Sequence, residues 1–386
     1  MKGMSRAAVA LALLIPAMAA WPQAESQSEA QPETQTAFDP DAFFSSPGTE
    51  PGVLGDVASP ARPAGLVFSG EASADILYTI VEPFDAAART AGYTGATSLR
   101  LDALGGKPDE AKVEASVVVG LLDGDGSTMF LELRKLYLSI YSRAVDLSAG
   151  RMIINYGRGT VFSPVDLFST VDVSDLRLGR TGTDALRAQL PLGSFSGLDL
   201  VATLGKPSGD GIAGGRIFGN AAGWDFGLSA FGAGLADGYG DLVAGLDFKG
   251  DLELGLSAEA LARLPFSAWV PDATEAVYSL MLGADYSIGG QWFFDLEYLA
   301  NLRSGSAQAV GDFRAAHNLF GSVSWKPDEL TALDLRCIAA PAEGAVRVTF
   351  SLSRSVASGA SVAGYLMYQG GDVTGVSLGT RLSVAY

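Results

Sequence analysis

The stretch from Asp146 to Arg187 reads DLSAGRMIINYGRGTVFSPVDLFSTVDVSDLRLGRTGTDALR, and it is the longest interruption in a chain that otherwise repeats one short unit. It carries Arg151, Arg158, Arg177, Arg180 and Arg187 inside a protein of 386 residues whose formal net charge is -17. Its middle is apolar for a connection facing water, with Phe162, Pro164, Val165, Leu167, Phe168, Val171 and Val173. Two strands separated by an inward-packing loop account for both properties.

Outward from this stretch the period is two, so alternate residues of each segment face opposite sides. Leu66, Phe68, Gly70, Ala72, Ala74 and Ile76 share a face opposite Ser69, Glu71, Ser73 and Asp75. Leu252, Leu254, Leu256, Ala258 and Ala260 oppose Glu253, Ser257 and Glu259, while Val376, Leu378, Leu382, Val384 and Tyr386 close the chain. About eighteen segments of roughly ten residues fit between residues 66 and 386, the length at which a tilted strand crosses a bilayer, and about sixteen can also be drawn. Connections after even strands are short, as at Gly289-Gly290 and Ala357 to Gly359. Those after odd strands are longer, as at Thr79 to Ala91, Gly157 to Gly182, Leu264 to Thr274 and Ser304 to Asp312.

Aromatic residues fall at two levels on this path. Trp224, Trp292, Trp325 and Tyr386 lie at one rim and Tyr78, Tyr93, Tyr278 and Tyr368 at the other, as interfacial anchors of a membrane barrel do. Soluble all-β proteins share the alternation and can also carry aromatics beside their turns, so it is the ordering of loops and aromatics together that favours a membrane barrel. Mean hydropathy is +0.24, yet after the N-terminus no apolar run reaches the roughly 18 residues of a membrane helix. Backbone groups in lipid must all be paired, and without helices only a closed sheet pairs them. The predicted fold class is therefore all-β, a transmembrane antiparallel up-and-down β-barrel over residues 66–386.

Ahead of it, Lys2 and Arg6 precede the apolar run Ala7 to Ile15, and Ala17-Met18-Ala19 offers a cleavage site, which reads as a signal peptide over residues 1–20. Residues 21–65, rich in Pro, Glu, Gln and Ser, are expected to be a disordered periplasmic segment; only Phe38, Phe43 and Phe44 offer it a docking cluster. The expected location is the outer membrane of a diderm bacterium. Cys337 is the single cysteine, so no disulfide framework exists.

The words Leu136-Tyr137-Leu138, Gly150-Arg151, Asn155-Tyr156-Gly157-Arg158-Gly159 and Phe162-Ser163-Pro164-Val165-Asp166-Leu167-Phe168 resemble porin-like outer-membrane proteins of the alginate-export kind, with Tyr156 where that group has Trp. In general porins a third outer loop at this position folds into the lumen. The resemblance implies the fold, the up-and-down topology and a constriction formed by the loop.

On the fourth segment the apolar phase switches from Met129, Leu131 and Leu133 to Leu136, Leu138 and Ile140. A β-bulge makes such a switch and would turn Arg134 and Lys135 inward. With Arg151, Arg158, Arg177, Arg180 and Arg187 they are expected to form the basic side of the pore, facing an acidic side of Asp241, Asp247, Glu253, Glu259, Asp295 and Glu297. Separated walls of opposite sign set a transverse field across a watery constriction; the alternative is that these charges pair with one another.

The function expected is passive diffusion of small hydrophilic solutes. The arginines favour a dedicated conduit for an anionic solute or acidic saccharide as the runner-up, and a surface structural protein or adhesin is the reading from another class. An enzyme is disfavoured, because the only histidine, His317, shares its phase with Leu319, Val323 and Trp325 on the lipid face, far from any place for a general base. Asp123 to Ser127 opens like a calcium loop but lacks the distal Glu, and reads as a turn. No metal or cofactor is expected, and no nucleic acid for so acidic a chain. The expected partners are the outer-membrane lipid bilayer, the barrel-assembly machinery through the C-terminal strand, and small hydrophilic solutes, with a homo-oligomer left open.

Overall fold

The computed structural model describes residues 65–107, 110–124, 126–173, 178–205, 211–236, 239–267, 270–303, 313, 315–371 and 373–386. The expected signal peptide and periplasmic segment, Arg177 and Asp125 lie outside them. Eighteen long strands run in chain order: β1 (Val67–Val81), β2 (Thr90–Lys107), β3 (Ala111–Asp123), β4 (Thr128–Ile140), β5 (Asp146–Met152), β6 (Thr183–Gly193), β7 (Ser196–Thr203), β8 (Ile212–Ala221) and β9 (Trp224–Ala236) form one half. The other half is β10 (Tyr239–Asp251), β11 (Gly255–Ser267), β12 (Val277–Ile288), β13 (Trp292–Arg303), β14 (His317–Asp328), β15 (Thr331–Ala340), β16 (Ala345–Ala357), β17 (Ala360–Gly370) and β18 (Gly375–Ala385). Each pairs antiparallel with its neighbours in sequence, and β18 pairs with β1, so the sheet closes into a barrel without edges. A two-residue strand, Val270–Pro271, pairs with the end of β11 within the next connection.

The alternation sorts side chains as lipid outside and water inside require. Ile76, Leu101, Leu131, Leu246, Leu296 and Leu378 stand exposed on the exterior, whereas Ser116, Ser139, Ser229, Ser351 and Ser383 are buried on the inward phase. Closure is sealed at the chain end, where the Gly70 N–H donates to the Tyr386 carbonyl at 3.1 Å and the Tyr386 N–H to the Gly70 carbonyl at 3.0 Å. A Cβ on Gly70 would lie 2.5 Å from the Tyr386 hydroxyl oxygen, so this glycine lets the terminal ring lie over β1.

Ser116 pairs with Lys135 while Val117 pairs with Leu133, leaving Arg134 as the extra residue of a bulge in β4. Leu131, Leu136 and Leu138 are all exposed across it. The short turn after β12 holds Gly289 and Gly290 at φ 59° and 69°, backbone that only glycine adopts freely. Near this end Trp292 stacks on Trp325 with centroids 5.2 Å apart and Trp224 stacks on Phe248 at 4.5 Å. At the other end Tyr78 faces Tyr93 in register, Tyr278 begins β12 and Tyr368 nears the end of β17. His317 is exposed and stacks on Tyr298, whose hydroxyl is 2.8 Å from its Nδ1.

Two boundaries differ from expectation. β5 stops at Met152 because Ile154 and Tyr156 turn inward and bury fully, so the loop begins at Ile153. β11 starts only at Gly255, and Leu252–Leu254 form the preceding turn. Glu253 is therefore an exposed turn residue and not part of an acidic lumen wall.

Candidate functional site

The loop between β5 and β6 is held inside the barrel first by apolar contact. Met152, Ile154, Tyr156, Val165 and Phe168 pack on Ala185, Val201, Phe231, Ala233, Val243 and Leu261. Farther round the wall, Val161, Phe162 and Leu178 pack on Met281, Leu299 and Phe320. Phe162 is fully buried, edge-on to Phe313 at 4.7 Å and to Phe320 at 6.4 Å. Tyr156 stacks on Phe231 at 6.1 Å, with the Arg216 guanidinium 5.3 Å from its ring centroid. Burying one such side chain contributes about 1.5–3 kcal/mol. The loop thus covers the wall from β6 to β14, and no described residue of β16 to β18 or β1 to β3 belongs to either cluster.

A loop pressed against a sheet brings backbone donors that the ladder cannot satisfy, and two carboxylates take them. Glu259 on β11 accepts from the N–H groups of Arg158 at 2.5 Å, Gly159 at 3.1 Å and Val165 at 3.1 Å, and from the Ser163 hydroxyl at 3.0 Å. Glu297 on β13 accepts from the N–H groups of Thr160, of Val161 at 3.1 Å and of Phe162 at 2.7 Å. Both side chains are buried completely. Each such hydrogen bond contributes about 0.5–1.5 kcal/mol, and up to about 3 kcal/mol where the group is charged, so these two residues fasten residues 158–165 in addition to the apolar clusters.

The arginines are fastened as well. Arg158 Nε lies 2.7 Å from Asp247 Oδ1, and Arg216 reaches the same carboxylate at 2.6 and 3.0 Å. Gly227 opposite makes this crossing feasible, since a Cβ there would lie 2.1 Å from Asp247 Oδ2 and 2.5 Å from Arg216 Nε. Arg187 chelates Asp199 through Nε at 2.9 Å and through a terminal nitrogen at 2.5 Å. Asp241 takes Arg263 at 2.7 Å, and Lys135 takes Glu114 at 2.9 Å beside the Tyr137 hydroxyl at 2.6 Å. Within the loop Arg180 holds Asp166 at 2.6 Å. Burial pushes the Asp166 carboxyl up, while Arg180 and the Ser169 and Phe168 donors pull it down.

These distances revise the expectation of two walls facing each other across water. Arg158 and Asp247 touch, and Glu259 and Glu297 hold backbone instead of facing arginines. Arg151 is a second correction: its register with Leu136, and its shared phase with Leu147, put it on the exterior, where it pairs with Asp184 at 2.7 and 2.9 Å. Asp295 lies on the inward phase below the loop. Asp199, Asp166, Glu114, Arg216 and Arg263 were not singled out from the sequence. For the four on strands the available signal is a charge on the inward phase, as with the lone Asp199 in LDLVAT; Asp166, in the loop, has no such signal.

Across the lumen the uncovered wall is mostly polar, with Val118 and Met367 among its inward residues. Arg100 sits between Glu71 at 3.5 Å and Asp102 at 2.9 Å, and Arg381 holds Asp75 at 2.6 Å. Hydroxyl pairs fill the spaces between them, with Ser73 to Ser98 at 2.8 Å, Thr79 to Ser377 at 2.9 Å and Ser361 to Ser383 at 2.8 Å. Partly exposed ion pairs and hydroxyls therefore line much of this wall.

No protein-family model and no curated protein matches the chain. Among solved structures, that of Acinetobacter baumannii OccAB4 is similar with a TM-score of 0.54 at 11% identity, covering 84% of this chain and 100% of that one. Pseudomonas aeruginosa OccK5 (OpdH) gives 0.54 at 10% identity over 83% and 98% of the two chains. Pseudomonas aeruginosa OpdK, solved with vanillate, gives 0.52 at 13% over 83% and 99%. These are Occ and Opd proteins, not proteins of the alginate-export kind, and at such identity the likeness concerns architecture. The chain has the closed eighteen-strand antiparallel barrel fold of the Occ and Opd outer-membrane proteins.

Proposed function

We propose that this protein is an outer-membrane channel for passive diffusion of small hydrophilic solutes, with the loop from Ile153 to Gly182 as its constriction. The observation that carries the reading is the loop itself, fastened through Glu259 and Glu297 to one side of the lumen and leaving a polar lane on the other. An eighteen-strand barrel is too wide for wall side chains alone to fill, so a docked loop sets the width. A polar solute replaces part of its hydration by the hydroxyls and ion pairs of β16 to β18 and β1 to β3. An apolar solute gains nothing there and must displace ordered water. The vanillate in OpdK supports this architecture as one that admits a small organic molecule.

Export by the N-terminal twenty residues and assembly through the strand ending at Tyr386 complete this reading. A dedicated anion conduit has less support, because Arg158, Arg180 and Arg187 each already hold a carboxylate. The test is heat-dependent gel migration of the purified protein together with planar-bilayer recording. The expected result is a compact unheated band and discrete, ohmic conductance steps; a heat-insensitive protein that never conducts refutes the channel.

A further inference from the structure

Phe130 is an aromatic side chain inside the barrel that the loop leaves uncovered. It stands on the inward phase of β4 in register with Gly120 on β3, belongs to neither cluster beneath the loop and is 38% exposed. β5 ends at Met152, just past the pairing of Arg151 with Leu136 on β4. Phe130, farther along β4 toward the rim of Tyr93, therefore lies outward of the point where the loop leaves the wall.

The ring is laid against the sheet by what β3 lacks. A Cβ on Gly120 would lie 2.4 Å from Phe130 Cζ, 2.6 Å from its Cε1 and 2.7 Å from the Thr97 carbonyl oxygen, so the phenyl group crosses β3 with one face on the wall and the other toward the lumen. A glycine inside a strand marks such a close approach. Val118 follows on the same inward phase of β3, in register with Glu132 on β4 and Arg100 on β2. Phe130 and Val118 thus make an apolar patch on a mostly polar wall, and the groups around it form hydrogen bonds. Glu132, on one side, is exposed. Arg100, on the other, is partly exposed beside Glu71 and Asp102. In the row of Phe130 lie the hydroxyls of Ser98 and Ser73, 2.8 Å apart. Glu132 and Arg100 are two strand spacings apart, about 10 Å, which leaves room for one six-membered ring.

An apolar floor with a few polar groups at its edge is the usual form of a small-molecule site. Any flat apolar face releases water from Phe130 and Val118, but an aromatic solute also strips water from Glu132 and Ser98 and returns no hydrogen bond. A pyranose has a face of C–H groups, which the negative face of a phenyl ring attracts, and a rim of hydroxyls that donate and accept. A carboxylated sugar is repelled by Glu132 at that edge. We propose that Phe130 and Val118, with Glu132 and Ser98 beside them, form a stacking subsite for a neutral sugar ring approaching the constriction. The inference rests on the channel reading above and adds a substrate class to it.

The test is single-channel recording of the purified protein with maltotriose as the probe. Mannitol, which has the hydroxyls without the ring, and benzyl alcohol, which has a flat ring without the rim of hydroxyls, are the comparisons at the same concentration. Maltotriose is expected to interrupt the current in proportion to its concentration, and the other two are not. Phe130→Leu keeps apolar bulk but removes the aromatic face, and should weaken the block by about tenfold in apparent Kd, while Phe130→Trp retains it. Should Phe130→Leu fail to migrate as a folded barrel, Glu132→Ala, at an exposed position, carries the same comparison. A conducting wild-type barrel that ignores maltotriose, that mannitol or benzyl alcohol blocks as strongly, or whose block survives both Phe130→Leu and Glu132→Ala overturns the subsite alone. A wild-type barrel that never conducts overturns the channel reading and the subsite with it.

Discussion

Replacing Glu259 and Glu297 together by Ala should release the constriction loop and widen the channel. Glu297 takes three backbone N–H groups, and Glu259 takes three more and a hydroxyl. Each N–H left buried and unpaired costs about 1–3 kcal/mol, so Glu297→Ala alone penalises the docked loop by roughly 3–9 kcal/mol. Against this stands the burial of Val161, Phe162 and Leu178, worth roughly 4.5–9 kcal/mol in all. The single variant brings the two near balance for the segment around Val161; in the double variant the loss of six N–H partners, roughly 6–18 kcal/mol, also comes close to the full apolar burial once Ile154, Tyr156, Val165 and Phe168 are included, so an undocked loop whose N–H groups bond to water becomes populated. In planar bilayers each single variant should flicker between two conductance levels, and the double variant should spend more of its time at the higher one. Gln at each position keeps one acceptor oxygen and should fall between wild type and Ala. A double Ala variant with quiet, wild-type conductance would mean that the apolar clusters alone hold the loop, or that the loop does not set the width.

Asp247→Asn should lower the unfolding midpoint in detergent far more than Arg158→Ala. The first leaves Arg216 without its carboxylate and Arg158 with only Asp225 at 3.8 Å, a loss of about 3–5 kcal/mol for a buried pair, whereas the second leaves the Arg216 pair intact; equal effects would refute the shared pair. Gly227→Ala puts a methyl group into the Arg216–Asp247 crossing and should cost about 1–3 kcal/mol. Gly364→Ala, with nothing within 4 Å of its added Cβ, is the matched control, and indistinguishable heat-migration temperatures for the two variants would count against the crossing. Arg381→Gln leaves Asp75 without its 2.6 Å ion partner and should move the reversal potential in a salt gradient toward cation selectivity. An unchanged potential would put that wall outside the conduction path.

The period of two gave the strands and their faces, because the phase of a strand is a local property in which each residue's face follows from its neighbours two positions away; the barrel itself needed the order of short and long connections and the two levels of aromatics as well. The bulge at Arg134 was legible for the same reason, as a switch of phase from Leu131 to Leu136. So was the exterior place of Arg151, which its shared phase with Leu147 specifies against its grouping with the loop arginines. The loop stood out through its length and apolar content, although its start at Ile153 depended on where Ile154 and Tyr156 could bury. What periodicity could not supply is partner identity. Glu259 meets the backbone of Arg158 and Val165, and Asp247 meets the Arg158 side chain, across sequence separations bridged only by closure of the sheet and the path of the loop inside it. Charges that read as two opposing walls become fasteners once the chain folds back between them. A carboxylate in a confined lumen is most stable where donors are already in place, and only the tertiary structure puts those donors within reach.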